Sequence, residues 1–187
     1  MKNLFFTILL GLIILACEDD SELPFQTFTI PAGAHSGTIK AVALSSTELV
    51  STVIFDESAV YTTTNPENQW DTNKLIGFSD CNSHHHQNSA RFGWRWKDNL
   101  LEILAYCYVD GERVITKIGA VNINEENTYK LSLKKDAYVF QINDQAQYSV
   151  KRKNSCNKGF YYMLWPYFGG QEVAPHKISI KMRIENM

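Results

Sequence analysis

Beyond Pro24 the chain is a succession of short segments in which apolar and polar residues alternate, and none carries an apolar 3.6-residue period long enough for a sizeable helix. Segments rich in Thr, Val, Ile, Tyr and Phe cover residues 25–30, 37–44, 48–55, 59–62, 89–96, 101–109, 113–122, 129–133, 138–142, 147–151, 160–167 and 177–184. Turn residues separate many of them, at Asp110-Gly111, Lys134-Lys135-Asp136, Asn143-Asp144 and Gly169-Gly170. Only residues 69–75 offer a short helical turn. Many strands joined by short turns predict an all-β fold, an antiparallel β-sandwich or jelly roll, occupying residues 25–187 as a single domain.

The alternation also assigns faces. In residues 89–96 one side carries Ala90, Phe92, Trp94 and Trp96, and the other Ser89, Arg91, Gly93 and Arg95. In residues 101–109, Leu101, Ile103, Ala105, Cys107 and Val109 oppose Glu102, Leu104, Tyr106 and Tyr108. The last segment sorts Ile178, Ile180, Met182 and Ile184 from Lys177, Ser179, Lys181 and Arg183. A period of two this regular means that one face packs and the other meets water or a ligand.

The N-terminus has a different character. Lys2 precedes an apolar run over residues 4–16, which stops at Cys17 and is followed by Glu18, Asp19 and Asp20. This is the three-part shape of a secretory signal, and the run is short for a permanent membrane helix. Ile14-Leu15-Ala16-Cys17 resembles a bacterial lipobox. That resemblance implies a lipoprotein: residues 1–16 are the signal peptide, Cys17 is lipidated, and residues 17–24 form a tether to the membrane. Several acyl chains make such anchoring stable where one would bind only marginally. Glu18, Asp19, Asp20 and Glu22 resemble the acidic signal that carries some Gram-negative lipoproteins to the outer face of the outer membrane, so the expected location is that membrane, surface-exposed or periplasm-facing.

Charge bounds the partners. Lys and Arg total 18 against 20 Asp and Glu, a formal net charge of −2, with no basic stripe, which argues against nucleic acid. Cys81, Cys107 and Cys156 remain after Cys17, enough for one disulfide and one thiol. Cys107 falls on an apolar strand face, and Cys81 and Cys156 sit in polar loops; the sequence leaves their pairing open. Their spacing matches no zinc site, and no cofactor is implied.

Chemistry concentrates in residues 77–96, GFSDCNSHHHQNSARFGWRW. His84, His85, His86, Gln87 and Asn88 lead into a strand that displays Arg91 and Arg95, and Tyr106 and Tyr108 fall on a matching face. Such a surface suits a glycan, because aromatic rings stack on sugars and guanidinium forks grip carboxylates or sulfates. The bland alternative is that the arginines pair with surface acids and the tyrosines fill a sheet face. Adjacent strand residues point opposite ways, so a metal would draw on His84 and His86, in a turn with Asp80. Residues 161–176, YYMLWPYFGGQEVAPH, add Tyr167 and His176 across a Gly-Gly loop.

These two stretches, with NPENQWDTNKLIGFSD at residues 65–80, resemble an uncharacterised set of secreted bacterial lipoproteins with a predicted sandwich fold. That set brings no established activity, so no catalytic residue follows from it. The residue types also resemble those of polysaccharide lyases on jelly-roll scaffolds, which neutralise a uronate and abstract its C5 proton. His85, His86, Tyr161 and Tyr167 are then the catalytic candidates, with Gln87 and Arg91 beside them, although the signature motifs of those enzymes are absent. The leading reading is a lipid-anchored β-sandwich that binds an acidic glycan through Arg91, Arg95, Tyr106, Tyr108, Gln87 and His176. A lyase is the alternative, and an accessory component of an envelope complex is the third.

Overall fold

The computed structural model describes residues 23–37, 41–154, 156 and 159–185; the leader and the lipidation position Cys17 lie outside them. Its strands are β1 (Gln26–Ile30), β2 (Glu48–Phe55), β3 (Asn73–Ser79), β4 (Asn88–Lys97), β5 (Leu100–Val109), β6 (Glu112–Val121), β7 (Asn127–Leu133), β8 (Ala137–Ile142), β9 (Tyr148–Lys151), β10 (Met163–Leu164) and β11 (Ile178–Ile184). They form a six-stranded sheet, β1-β11-β2-β7-β8-β9, facing a five-stranded sheet, β10-β3-β4-β5-β6. Every pairing is antiparallel. The all-β sandwich expected from the alternation is therefore the fold.

The apolar faces read from β4, β5 and β11 meet between the sheets. Phe92, Trp94, Ile103 and Ile180 are at most 1 % exposed there. Phe92 packs edge-on against Tyr129 and Phe140, each with ring centroids 5.1 Å apart, and Trp94 tilts against Phe55 at 5.2 Å. Burying each such ring is worth about 1.5–3 kcal/mol, which makes this interior the main stabilising mass. Asp110 and Gly111 both take positive φ, 57° and 82°, so they close the β5–β6 hairpin in a turn whose twist suits the strands.

Some local expectations need correcting. The helical turn is a 3-10 segment at Pro66–Trp70, not residues 69–75, and Asn73–Ser79 is a strand. That strand is buried almost throughout and its register shifts between Lys74 and Gly77, so it shows no alternation. Residues 59–62 form no strand; their start belongs to a 3-10 turn, Glu57–Ala59. Within 160–167 only Met163–Leu164 is a strand. Of residues 37–44, part lies outside the described residues, and Ala43 forms an isolated bridge to Tyr162. Among the described residues no helix is long and apolar enough to cross a membrane.

Cys81 is bonded to Cys156, leaving Cys107 a buried free thiol. Beside the disulfide, the fully buried Asp80 and Arg152 form a two-pronged ion pair, Nε to Oδ2 at 2.6 Å and Nη2 to Oδ1 at 2.8 Å. Tyr138 donates its hydroxyl to Asp80 Oδ2 at 2.6 Å, and the Cys81 N–H donates to Oδ1 at 2.6 Å. Removing one member leaves a buried charge without its counter-ion, which costs about 3–5 kcal/mol. Asp80→Asn is therefore expected to lower unfolding stability by that amount in chemical denaturation, with a loss under about 1 kcal/mol counting against a water-free pair.

Candidate functional site

The face of the five-stranded sheet that turns away from the interior forms the floor of a cleft. Register sets Arg91 of β4 opposite Tyr106 of β5, and Ser89 opposite Tyr108, so the matching faces expected from alternation adjoin. β3 adds Lys74. Residues 162–170 cross this face as one wall, tied down where Lys74 and Tyr167 exchange backbone hydrogen bonds of 2.7 and 3.0 Å. Gly169 follows at φ 69°, and a Cβ there would meet the Glu172 carbonyl oxygen at 2.2 Å, so only glycine fits. The histidine turn closes one end, held by Asn88 N–H to the His84 carbonyl at 3.1 Å and Gly111 N–H to the Gln87 carbonyl at 2.9 Å.

Lys74, His85, His86, Ser89, Arg91, Tyr106, Tyr108, Tyr167, Gly169 and Gly170 line a polar cavity of about 290 Å³. No carboxylate is among them. Arg91 is only 9 % exposed; its Nη2 donates to the Trp165 carbonyl at 3.1 Å, while its Nε has no partner among the described residues. Burial pulls its pKa down to about 10, leaving it cationic at neutral pH. The Lys74 ammonium donates to the Gly169 carbonyl at 2.7 Å and lies 5.1 and 5.2 Å from the ring centres of Tyr106 and Tyr167. Burial first, and then the Arg91 charge, push Lys74 down to about 8. Burial, aided by Tyr108, raises Tyr106 to about 12.

His85 is wired to Tyr162. The Tyr162 hydroxyl accepts the His85 backbone N–H at 3.0 Å and lies 3.1 Å from Nδ1, to which it can give its own proton. Burial, with His86, His84 and Arg91 adding positive charge, pushes His85 down to about 4, so the imidazole is neutral near pH 7. His86 leans on Tyr108, ring centres 5.1 Å apart. The three imidazoles crowd one another, with His84 and His85 4.3 Å apart, yet no group of three metal-ligating side chains occurs among the described residues.

A second cavity, about 700 Å³, shares His85, Arg91 and Tyr167 with the first and has largely apolar walls, among them Leu164, Trp165 and Pro166. Further along the sheet, Trp70 and Trp96 line a third cavity of about 500 Å³.

Not every expected site residue reaches the cleft. Arg95 gives its Nε to Glu102 at 2.6 Å and its Nη1 to the Trp70 carbonyl at 2.9 Å, and Lys117 takes the other Glu102 oxygen at 2.7 Å. Burial works against the Glu102 anion, but its bonds to Lys117 and Arg95 prevail and hold it below the usual carboxylate range. Gln87 donates to Asp110 at 3.1 Å and so locks the histidine turn to the β5–β6 hairpin. His176 sits 2.9 Å from the Ser58 carbonyl and lines neither cavity beside Arg91. Tyr161 packs toward the interior, its ring 6.5 Å from Phe78. Lys74 escaped the sequence reading, although a lysine inside the apolar run of residues 73–79 was a visible signal. An NMR titration is expected to find the His85 ring midpoint near pH 4; a midpoint near 6.5 would mean that water reaches it freely.

No family model and no curated protein matches the chain. Solved structures do resemble it. Alginate lyase AlyC3 superposes with a TM-score of 0.59 at 8 % identity, covering 87 % of this chain and 74 % of that one. A glycoside hydrolase of family 16 from a Bacteroides ovatus mixed-linkage glucan locus gives 0.55 at 9 % identity, covering 90 % and 83 %. An alginate lyase from Klebsiella pneumoniae gives 0.54 at 11 % identity, covering 75 % and 59 %. At these identities the likeness is one of architecture: the chain has the jelly-roll fold on which these carbohydrate-active proteins are also built.

Proposed function

We propose that the chain is a lipid-anchored protein whose cleft binds an acidic glycan, with Arg91 receiving a uronate carboxylate. The observation that carries this reading is the lining of the polar cavity, which sets two cations, Arg91 and Lys74, among tyrosines and includes no carboxylate, while Arg91 Nε has no partner among the described residues. A buried guanidinium with an unused donor is best satisfied by an anion that arrives with the ligand. Tyr106, Tyr108 and Tyr167 supply rings for the sugar faces. The shared fold supports the reading, since alginate lyase AlyC3 is known with dimannuronate bound. Hydrolysis by a carboxylate pair has no support, because no acidic side chain lines either cavity beside Arg91.

One observation favours catalysis by elimination as a second reading. His85 is neutral and shares a hydrogen bond with Tyr162 beside Arg91, so a base and a proton donor stand where a uronate would lie. With the carboxylate neutralised by Arg91, the base takes the C5 proton, the C4–O bond breaks, a C4=C5 double bond forms, and the departing oxygen is protonated. Accumulation of ultraviolet-absorbing unsaturated product from a polyuronate separates the two readings; a flat trace leaves binding alone.

Arg91→Ala is expected to weaken binding of a uronic-acid oligosaccharide about 10–100-fold, the worth of a hydrogen-bonded charge, and Arg91→Lys to restore little because the fork is lost. Lys74 is an ammonium below about pH 8 and neutral above it, so affinity should fall as pH rises from 7 to 9. Titration calorimetry reads both effects. An unchanged affinity in Arg91→Ala would remove the site's main residue, and a Lys74→Gln variant that keeps the alkaline fall would assign the fall elsewhere.

The anchor rests on Cys17 and the lipobox-like residues before it. Cys17→Ala is expected to move the protein from the membrane fraction to the soluble fraction; retention after a carbonate wash would contradict lipidation.

A further inference from the structure

Arg91 stands between two unlike spaces. On one side is the polar cavity of Lys74 and the tyrosines; on the other is the larger cavity of about 700 Å³, within the range of small-ligand sites. Away from Arg91 and His85, Val42, Ala43, Leu164, Trp165 and Pro166 wall the larger space. Leu164 is 8 % exposed yet stands outside the interior cluster, so its burial belongs to this cavity. At the rim Phe160 is 57 % exposed and stacks on Tyr162, ring centres 6.2 Å apart. Phe160 thereby extends the apolar lining of this cavity outward to solvent.

The nearby backbone groups are already committed: the Met163 N–H donates to the Val42 carbonyl and the Leu44 N–H to the Tyr161 carbonyl, both at 2.9 Å. A further sugar ring placed against these walls would bury hydroxyls that find few partners, at a cost. An acyl group would bury carbon against carbon. Arg91, which lines both spaces, offers the cation for an anion contact at their boundary.

We propose that this cleft selects acidic glycans bearing an apolar ester substituent next to the carboxylate-carrying residue, the carboxylate meeting Arg91 and the acyl group filling the larger cavity. The inference rests on the acidic-glycan reading and deepens it.

The test uses a uronic-acid oligosaccharide in its O-acylated form and the same oligosaccharide after mild alkaline de-esterification, each titrated calorimetrically into the full protein. The acylated form is expected to bind about tenfold more tightly, as burial of a small apolar group allows. Ala43→Trp fills the cavity from an exposed wall position and should bring that ratio close to one. Phe160→Ala, a change at an exposed side chain, should reduce the ratio as well and stands in if the first variant misfolds. Equal affinity of the wild type for both forms overturns the inference and leaves the acidic-glycan reading in place. A ratio unchanged in both variants overturns it too, since the preference would then arise outside this cavity. Binding of neither form by the wild type overturns both.

Discussion

The buried fork between Asp80 and Arg152 is the interaction on which the site depends. Asp80 follows β3 of one sheet, Arg152 follows β9 of the other, and Tyr138 of β8 donates to the same carboxylate. The fork thus joins the two sheets by charge at a point where the apolar interior gives way to loops. Asp80 also opens the histidine turn: its N–H donates to the Asn88 carbonyl and its carbonyl accepts from Ser83. On the other side, Arg152 donates to the Cys156 carbonyl, the disulfide ties Cys156 to Cys81, and Asn82 holds the Phe160 N–H at 2.9 Å. Both walls that flank Arg91, the one carrying His85 and the one carrying Tyr162, therefore trace back to one carboxylate.

This arrangement explains how the cleft tolerates its own electrostatics. Two cations close together on a half-dry surface repel, and burial penalises each. The protein meets part of that cost with the Trp165 and Gly169 carbonyls and with the faces of Tyr106 and Tyr167. No acid lines the polar cavity, although Asp71 beside Gly170 favours the Lys74 cation. Glu102, an acid on the same sheet face, is instead consumed by Arg95 and Lys117 further along the sheet. The cleft keeps an excess of positive charge because Glu102 is committed to Arg95 and Lys117, and Asp71 offsets the Lys74 charge only in part.

Much of this was legible in the chain. Alternation placed Phe92 and Trp94 inside and Arg91 beside Tyr106 outside, because a strand buried on one face must alternate. It could not separate Arg91 from Arg95, which share a face; only register showed that Arg95 lies opposite Glu102. β3 was missed because a strand buried on both faces loses its period, and Lys74 went unnoticed with it. His176 and Gln87 have suitable chemistry, but their side chains are engaged by the Ser58 carbonyl and Asp110 and line neither cavity beside Arg91. Residues 160–167 resemble a strand in composition, yet their continuous ladder ends at Leu164 and resumes only as a single bridge from Tyr167 to Lys74.

The placement of the two terminal strands bears on how the molecule assembles. β4, β5 and β6 form a meander of sequence neighbours, as do β7, β8 and β9, and such local ladders close with little loss of chain entropy. β1 is different: among the described residues its ladder is with β11 alone, which also completes the flank of β2. A chain that emerges from its N-terminus presents β1 first and its partner last. Until residues 178–184 arrive, β1 and one edge of β2 hold open backbone donors and acceptors, the kind of edge at which strangers add. Closure of that flank of the larger sheet therefore waits for residues 178–184, and until they pair, β1 and the edge of β2 are exposed to pairing with other strands.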